Sequence, residues 1–377
     1  MNLKRIQAIA WKEYIQIKRD PRSLGLALAI PIFLLFIFGY GLSLDIDHVP
    51  TVIWNQDAGS KLARDFLLNF KNSKYFRIIK YTDNYRDIEH MIDSGDAMIA
   101  LVVPKDFSKY IESGRQAPLQ VIMDGSDANT ATIARGYVSS VIGNYNIQLI
   151  SKALSTRGLT STRPIDARTR VWFNMGLTST WFIVPGVIAM IIMIIAALLT
   201  SICVAREWER GTMEQLISTP VKAPELVIGK FIPYFAIGLL DLTIGVLMAR
   251  FLFHVPFRGN YILLAFLSFL FLTGALSQGI LISIVARTQL MASQMATLTT
   301  MLPTVILSGF IYPIFNMPKA LQTVTYFVPA SYYIVILRGL FLKGNTLTTM
   351  WDEALFLILF AVLMFGLAIR KFKKKVA

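Results

Sequence analysis

The chain has 377 residues; 55% are hydrophobic, only 16% are charged, and the mean hydropathy is +0.56. Because a soluble domain carries about 25% charged residues, this composition excludes an ordinary soluble protein and indicates long apolar segments that cross a membrane. The formal net charge is +14, but the basic excess lies mainly at the two chain ends, next to apolar segments. Basic flanks of this kind are typical of a membrane protein at a lipid surface, so the charge does not indicate nucleic-acid binding.

Residues 1–23 form a basic segment with an apolar face. Apolar residues recur there at helical spacing, which predicts an amphipathic helix lying in the membrane surface; they are Leu3, Ile6, Ala10, Tyr14 and Ile17. Asp20-Pro21 is expected to end the helix, since the residue before a proline avoids the helical region. A simple positively charged flank explains the segment equally well. No small-residue cleavage site follows the first apolar run, so that run is expected to remain as an anchor.

Six apolar runs are long enough to cross a hydrocarbon layer about 30 Å thick. The first occupies residues 24–44, the next four lie within residues 178–312, and the last lies within residues 343–377, which end in a basic tail. The predicted spans are Leu24–Leu44, Trp181–Val204, Leu226–Phe253, Tyr261–Val285, Met291–Ile311 and Ala354–Ile369.

The charges of the short flanking segments predict the orientation of these spans. Six Lys and Arg residues precede the first span, three lie in the loop from Ala205 to Glu225, and five lie in the C-terminal tail. The short loop His254–Asn260, on the opposite side, carries only Arg258. By the positive-inside rule, both termini are expected to be cytoplasmic, and residues 45–177 are expected to lie outside.

The long polar segment, residues 45–177, alternates extended and helical runs separated by turn signals. The predicted extended runs are Thr51–Trp54, Phe76–Tyr81, Met98–Val103 and Leu119–Met123. This alternation predicts a folded α/β domain rather than a simple spacer. Between the fifth and sixth spans, residues 313–342 are semi-polar and contain Pro313, Pro318 and Pro329. A pair of short helices dipping into the outer leaflet is expected there. The predicted fold is therefore an α-helical integral membrane protein with six transmembrane helices and an inserted extracytoplasmic α/β domain.

Sequence signals for catalysis, cofactors and metals are missing. The phosphate-binding pattern G-x-x-x-x-G-K-[ST] does not occur: Gly229-Lys230 has its terminal pair, but Pro224 stands where the first glycine should be. This chain is therefore not expected to hydrolyse ATP or to carry catalytic residues or a cofactor of its own. The three histidines are far apart and Cys203 is the single cysteine, so no metal site is predicted. Asp124-Gly125-Ser126-Asp127 is expected to be a turn, because it lacks the further ligands of a calcium loop.

The segment between the second and third spans, residues 206–221, is the most informative one. Gly211 is expected to break the preceding helix, and Thr212 to cap a short new one, with Gln215 completing a capping box. Thr219-Pro220 should end it. A helix of one or two turns, fixed between two membrane helices, can transmit a displacement from a docked partner to both. A stiff connector without a partner remains the alternative.

This segment resembles the hallmark of ABC-2-type permeases, E-x-x-x-G-T-x-E-x-L-x-x-T-P-V, which forms the coupling helix that seats in the ATPase subunit. The matching residues are Glu207, Gly211, Thr212, Glu214, Leu216, Thr219, Pro220 and Val221, and the adjoining Arg206 and Glu209 are expected to share their role. Lys12-Glu13 with Arg19-Asp20-Pro21-Arg22 resembles the elbow helix of the family. Residues 124–131 are similar to the external domain of the drug-export subgroup, and residues 308–313 and 337–339 to its re-entrant outer region.

The resemblance implies a bacterial inner-membrane export permease that dimerises with an identical or paralogous permease. It implies two ABC ATPase subunits, which hold the ATP and Mg²⁺, and in Gram-negative members often a periplasmic adaptor and an outer-membrane channel. The expected cargo is drug-like or amphipathic and leaves from the cytoplasm or the inner leaflet. A gradient-driven transporter and a non-transporting sensor or scaffold remain the alternatives.

One acidic residue lies inside a predicted span. Asp241 falls about two-thirds of the way across the third span, where a carboxylate costs about 2.5–3.5 kcal/mol on insertion scales. It should therefore face a cavity or a partner. A site for a cationic substrate, a protonation switch and a carboxylate hydrogen-bonded within the bundle are all compatible with the sequence.

Overall fold

The computed structural model describes residues 1–41, 48–126, 128–156, 173–174 and 178–372. The chain divides into two compact units, one made of residues 1–43 and 170–377 and the other of residues 44–169. The first is the membrane unit and the second the α/β unit. Residues 42–44 of the first predicted span and residues 373–377 of the basic tail lie outside the described residues.

The membrane unit begins with two helices. Helix α1, Leu3–Lys18, is followed by a helical turn at Pro21–Leu24 and a π-helical turn at Gly25–Ala29. These lead into the apolar helix α2, which is described over Ala27–Gly41, within the predicted first span Leu24–Leu44.

The buried face of α1 differs from the predicted apolar face. Ile6, Ile9, Glu13 and Ile17 are buried, whereas Leu3 is 81% exposed and Tyr14 is 47% exposed. The prediction is confirmed for Ile6 and Ile17 and was wrong for Leu3 and Tyr14, because it placed apolar residues alone on the buried side. The structure buries a carboxylate with them, and the physical reason is the ion pair that Glu13 makes, described below.

The α/β unit is a four-stranded sheet with helices on both faces. Its elements are β1 Val49–Asn55, α3 Lys61–Lys71, β2 Phe76–Tyr81, α4 Tyr85–Asp93, β3 Ile99–Val103, α5 Phe107–Glu112, β4 Gln120–Met123 and α6 Ala128–Thr156. The strand order is β2-β1-β3-β4; β1 is parallel to β2 and β3, and β4 is antiparallel to β3. All five residues of β3 are buried, as expected for a strand covered on both faces.

The two faces of the sheet have separate cores. On one face, Phe66 and Phe70 of α3 and Tyr145 of α6 pack against Ile53 and Leu101. On the other, Ile88 of α4 packs against Val52, Ala100 and Val102. Alternate strand residues point to opposite faces, so the run of apolar residues in β1 and β3 supplies both cores.

The remaining elements of the membrane unit are helical, apart from their connecting segments. They are α7 Ser179–Glu209, α8 Thr212–Ser218, α9 Ala223–Leu252, α10 Tyr261–Ala286, α11 Gln289–Leu307, α12 Lys319–Thr325, α13 Pro329–Lys343 and α14 Trp351–Lys371. Within the described residues, α7, α9, α10, α11 and α14 are long and apolar enough to cross a membrane. Helices α12 and α13 are bent by 79° and would form a sixth span if counted as one.

Helix α7 is the central element of the membrane unit. In its most apolar 18-residue stretch, 83% of the residues are buried, whereas the corresponding figure is 28% for α14. Close approach to α10 depends on a small residue, since a side chain at Gly279 would collide with Ala197 and Thr200 of α7. Small residues have this role in membrane helix packing. Helices α2, α9, α10, α11 and α13 therefore pack against α7, whereas α14 packs mainly against α10 and α13.

We expect Phe70→Ala to destabilise the α/β unit by about 3–5 kcal/mol, because truncation of a fully buried aromatic side chain leaves a cavity. Leu68→Ala, at a 46% exposed position of the same helix, is the matched control and should change stability by less than about 0.5 kcal/mol. Hydrogen exchange of the β1 and β3 amides in the intact chain measures both effects. Equal exchange rates in the two variants would contradict this packing.

Candidate functional site

The connector helix α8 is held between two backbone features. Helix α7 ends at Glu209, and Gly211 adopts the left-handed conformation, with φ of +69°. No atom lies within 4 Å of the position a Cβ would occupy there, so glycine is favoured by backbone conformation rather than by space. At the other end, Thr219 is extended before Pro220. The helix between them is therefore short, and a defined backbone conformation marks each of its ends.

The predicted capping box of Thr212 and Gln215 was wrong. Gly211 is the N-cap residue, and Thr212 is the first residue of the connector helix. The Thr212 hydroxyl donates instead to the carboxylate of Glu207, and it lies 3.3 Å from the Glu207 carbonyl oxygen. Thr212 therefore ties the connector helix back to the last turn of α7 rather than capping its own helix.

Glu207 joins three elements through one buried carboxylate. Its side chain is 3% exposed. The carboxylate accepts from the Thr212 hydroxyl at the connector helix and from Lys12 Nζ of α1 at 2.7 Å. Lys230 Nζ of α9 lies 3.4 Å from the same carboxylate. A displacement of this side chain would therefore disturb α1, α8 and α9 together.

Lys230 forms the centre of the cluster. It is 1% exposed and makes an ion pair with Glu13 of α1, which is 2% exposed. Lys230 Nζ also donates to the Cys203 carbonyl oxygen at 3.2 Å, and Tyr234 Oη lies 3.4 Å from the Glu13 carboxylate. A buried charge is tolerated only when partners satisfy it. We call Glu13, Glu207 and Lys230, together with the more exposed Lys12 that pairs with Glu207, the buried charge cluster.

Further polar contacts hold α1 to the two ends of the connector. Arg206 Nη2 lies 3.3 Å from Asp20 Oδ2. Beyond the connector helix, the Glu225 carboxylate accepts from the backbone N–H of Asn2 at 2.7 Å. Arg5 Nη1 donates to the Pro220 carbonyl oxygen at 2.6 Å. The first helix is therefore fastened to residues that both precede and follow α8.

The structure brings together some of the predicted site residues and separates others. Glu209 lies apart from the cluster and accepts from Gln289 Nε2 of α11 at 2.7 Å. Arg19 is the exposed C-cap residue of α1. Leu216 of the connector helix is half-buried, whereas Glu214, Thr219 and Pro220 are exposed. These three exposed residues lie on the surface and are not members of the buried charge cluster.

Sequence reasoning missed Lys230 and Glu225 as members of the site. Lys230 was considered only as the end of a phosphate-binding loop. The sequence nevertheless contains a signal for Lys230: an ionisable residue inside an apolar helix needs a partner of opposite charge or a hydrogen-bond acceptor. The role of Glu225 is harder to predict from the sequence, since a glutamate is common near a helix N-terminus.

Asp241 lies on α9, away from the buried charge cluster. It is 6% exposed, and within the described part of the chain its Oδ1 has no hydrogen-bond partner. It shares a helix face with Gly238 and Gly245, which pack against Leu272 of α10 and Ile188 of α7 respectively. This carboxylate oxygen therefore lies among apolar neighbours.

The apolar helices and the clamped connector define a multi-pass membrane protein with a short helix at one end of its bundle. The sequence model of the family described as "ABC-2 family transporter protein" matches residues 23–370. The chain therefore belongs to the ABC-2 family and is an ABC transporter permease.

Similarity to individual proteins extends over the full chain. The "Probable multidrug ABC transporter permease YbhS" of Escherichia coli K12 is 40% identical over 376 residues, which cover 100% of this chain and 98% of that protein. The "Probable multidrug ABC transporter permease YbhR" of the same organism is 27% identical over 372 residues, covering 99% of each chain. "ABC transporter G family member 23" of Dictyostelium discoideum is 24% identical over 323 residues, covering 84% of this chain and 45% of that protein.

We expect Lys230→Met to destabilise the membrane unit by about 3–5 kcal/mol, because it leaves buried carboxylates without their cation. Lys12→Met is the matched control: this lysine pairs with the same Glu207 but is 47% exposed, so its loss should cost less than about 1 kcal/mol. Thermal unfolding of the purified chain in detergent measures both.

A double variant separates charge from packing. Glu13→Gln with Lys230→Met removes one negative and one positive charge, so it should recover part of the stability lost in Lys230→Met. Equal unfolding midpoints for Lys12→Met and Lys230→Met, or no recovery in the double variant, would contradict the central role of Lys230.

Proposed function

We propose that this chain is the permease subunit of an ABC exporter that moves drug-like or amphipathic substrates out of the cytoplasm or inner leaflet. A separate ABC ATPase, present in two copies with its ATP and Mg²⁺, seats on the connector helix Thr212–Ser218. A second permease, identical or paralogous, completes the complex, with a periplasmic adaptor and an outer-membrane channel as further partners. The chain itself carries no catalytic residues.

The observation that carries this proposal is the set of contacts made by Glu207. The connector helix is too short to hold a site of its own, but its Thr212 bonds to a carboxylate that also holds α1 and α9. A push on the connector helix would therefore be passed to three helices at once. This is the mechanical arrangement that a permease driven by an external ATPase requires.

The proposed location is the bacterial inner membrane, with both termini in the cytoplasm. The basic flanks of the sequence support this orientation. If α7 crosses the membrane, the α/β unit that precedes it and the connector helix that follows it lie on opposite sides. With the ATPase in the cytoplasm, the α/β unit is then extracytoplasmic.

The exposed face of the connector helix provides a test of ATPase docking. Glu214 is exposed while Met213 points inward at 1% exposure. We expect Glu214→Lys to weaken co-purification of the ATPase and to abolish substrate-stimulated ATP hydrolysis. Its thermal stability should stay within about 0.5 kcal/mol of the wild type, because a surface substitution removes no buried contact.

Glu112→Lys, at an exposed position of α5, is the matched charge reversal and should leave docking and hydrolysis unchanged. If Glu214→Lys behaves like Glu112→Lys, the connector helix is not the docking surface. Transport that persists after ATP depletion, with the proton gradient maintained, would favour the gradient-driven alternative. A complex without substrate-stimulated hydrolysis would favour a sensor or scaffold.

Asp241 supports a more specific proposal, a site for cationic substrates within the membrane unit. The supporting observation is a buried carboxylate oxygen without a partner among the described residues. Such an oxygen is costly unless a ligand or a proton satisfies it. This reading disfavours a carboxylate that is fully hydrogen-bonded within the helix bundle.

We expect Asp241→Asn to reduce transport of tetraphenylphosphonium about tenfold, the loss expected for a hydrogen bond to a charged group. Transport of a neutral amphiphile of similar size should be unchanged. Asp352→Asn, at an exposed position of α14, is the control. Proteoliposomes that contain the permease and its ATPase provide the measurement. An equal loss for cationic and neutral substrates would assign Asp241 a structural role, and no loss would exclude the cation site.

A further inference from the structure

Arg338 of α13 places a guanidinium group in an aromatic environment at one end of the bundle. Its Nε donates to the Phe182 carbonyl oxygen at 3.2 Å, and its Cζ lies 3.5 Å from the centroid of the Phe182 ring. This geometry combines a hydrogen bond with a cation–π contact. The guanidinium plane is therefore held in a fixed orientation against the first turn of α7.

One amino group of this guanidinium lacks a partner. Arg338 Nη2 is buried and has no hydrogen-bond acceptor among the described residues, and none of their carboxylates lies within ion-pair distance of Arg338. A side chain at Gly186 would come within 3.2 Å of Nη2 and would collide with the ring of Phe310. Glycine at position 186 therefore makes room for the guanidinium and for the buried aromatic ring beside it.

The site opens towards the surface of the membrane unit. Arg338 itself is only half-buried, the Phe182 ring is 38% exposed, and Val335, one turn earlier on α13, is 48% exposed. A ligand can therefore approach the guanidinium from the side of the bundle. In contrast, Glu13, Glu207 and Lys230 of the buried charge cluster are at most 3% exposed.

The depth of the site indicates the chemistry of its ligand. Phe182 and Arg206 are 24 positions apart on α7, which corresponds to about 36 Å along a helix. A bilayer has a hydrocarbon core of about 30 Å and measures about 40–45 Å with its headgroups. If Arg206 lies at the headgroups of one leaflet, Arg338 lies at the headgroups of the other. Phosphate is the anion found at that level.

We propose that Arg338 binds the phosphate of an anionic phospholipid at the end of the bundle opposite the connector helix. The guanidinium fork matches phosphate geometry and binds it through charge-assisted hydrogen bonds. The exposed rings and aliphatic side chains beside it contact the lipid chains. This site requires neither the ATPase nor the export direction, so it stands apart from the proposed function.

Native mass spectrometry of the purified full-length chain tests the proposal, with phosphatidylglycerol as the probe and inorganic phosphate as the competitor. We expect the wild type to retain phosphatidylglycerol and Arg338→Gln to bind it about tenfold more weakly, the loss expected for hydrogen bonds to a charged group. Arg338→Lys keeps the charge without the fork and should fall between them. Arg250→Gln removes an exposed arginine near the same end of the bundle and should leave binding unchanged.

Two results would overturn the proposal. The first is equal phosphatidylglycerol binding by Arg338→Gln and Arg250→Gln. The second is complete displacement of the lipid by millimolar inorganic phosphate, which would assign the site to a small free anion.

Discussion

A lysine buried between two carboxylates is the interaction on which one end of the membrane unit depends. Lys230 pairs with Glu13 and lies 3.4 Å from the Glu207 carboxylate, and all three side chains are at most 3% exposed. Charges in such an environment are stable only while their partners stay in place. Helices α1, α7 and α9 are therefore constrained to keep their relative positions or to rearrange together. Gradual sliding of one helix would leave a buried charge uncompensated.

Because of this constraint, a displacement of the connector helix would be transmitted to the helices that share the Glu207 carboxylate. Gly211 and Thr219-Pro220 set the two ends of α8, and Thr212 fastens it to the same Glu207 carboxylate that holds α1 and α9. At the end of α7, Glu209 reaches Gln289 of α11, so a further span is linked to this end of the bundle. If the ATPase docks on α8 as proposed, its displacement would reach the spans through these polar contacts.

Local patterns account for the parts of the fold that the sequence predicts well. The apolar runs predict α7, α9, α10, α11 and α14, and the alternation of extended and helical runs predicts the positions of β1–β4 to within two residues. These signals depend on near neighbours in the chain. The two ends of the connector helix are likewise predictable, because Gly211 and Thr219-Pro220 are local signals for helix boundaries.

Contacts between distant residues account for what the sequence does not predict. Lys12 and Glu207 are 195 positions apart, and Glu13 and Lys230 are 217 apart. No local rule pairs them, so the buried face of α1 was predicted without its carboxylate. Thr212 was assigned to a cap for the same reason: a threonine before a short helix is an ordinary cap, and its actual partner becomes evident only when α7 is in place.

The same comparison separates charges that hold the fold from charges that meet a ligand. Every charged group of the buried charge cluster has a partner of opposite sign within the chain. Asp241 Oδ1 and Arg338 Nη2 are buried in the same unit, yet neither has a hydrogen-bond partner among the described residues. Folding alone does not favour an unsatisfied buried ionisable group, because its desolvation is uncompensated. This contrast supports the two proposals that Asp241 and Arg338 bind ligands, whereas the ion pairs of the buried charge cluster hold helices together.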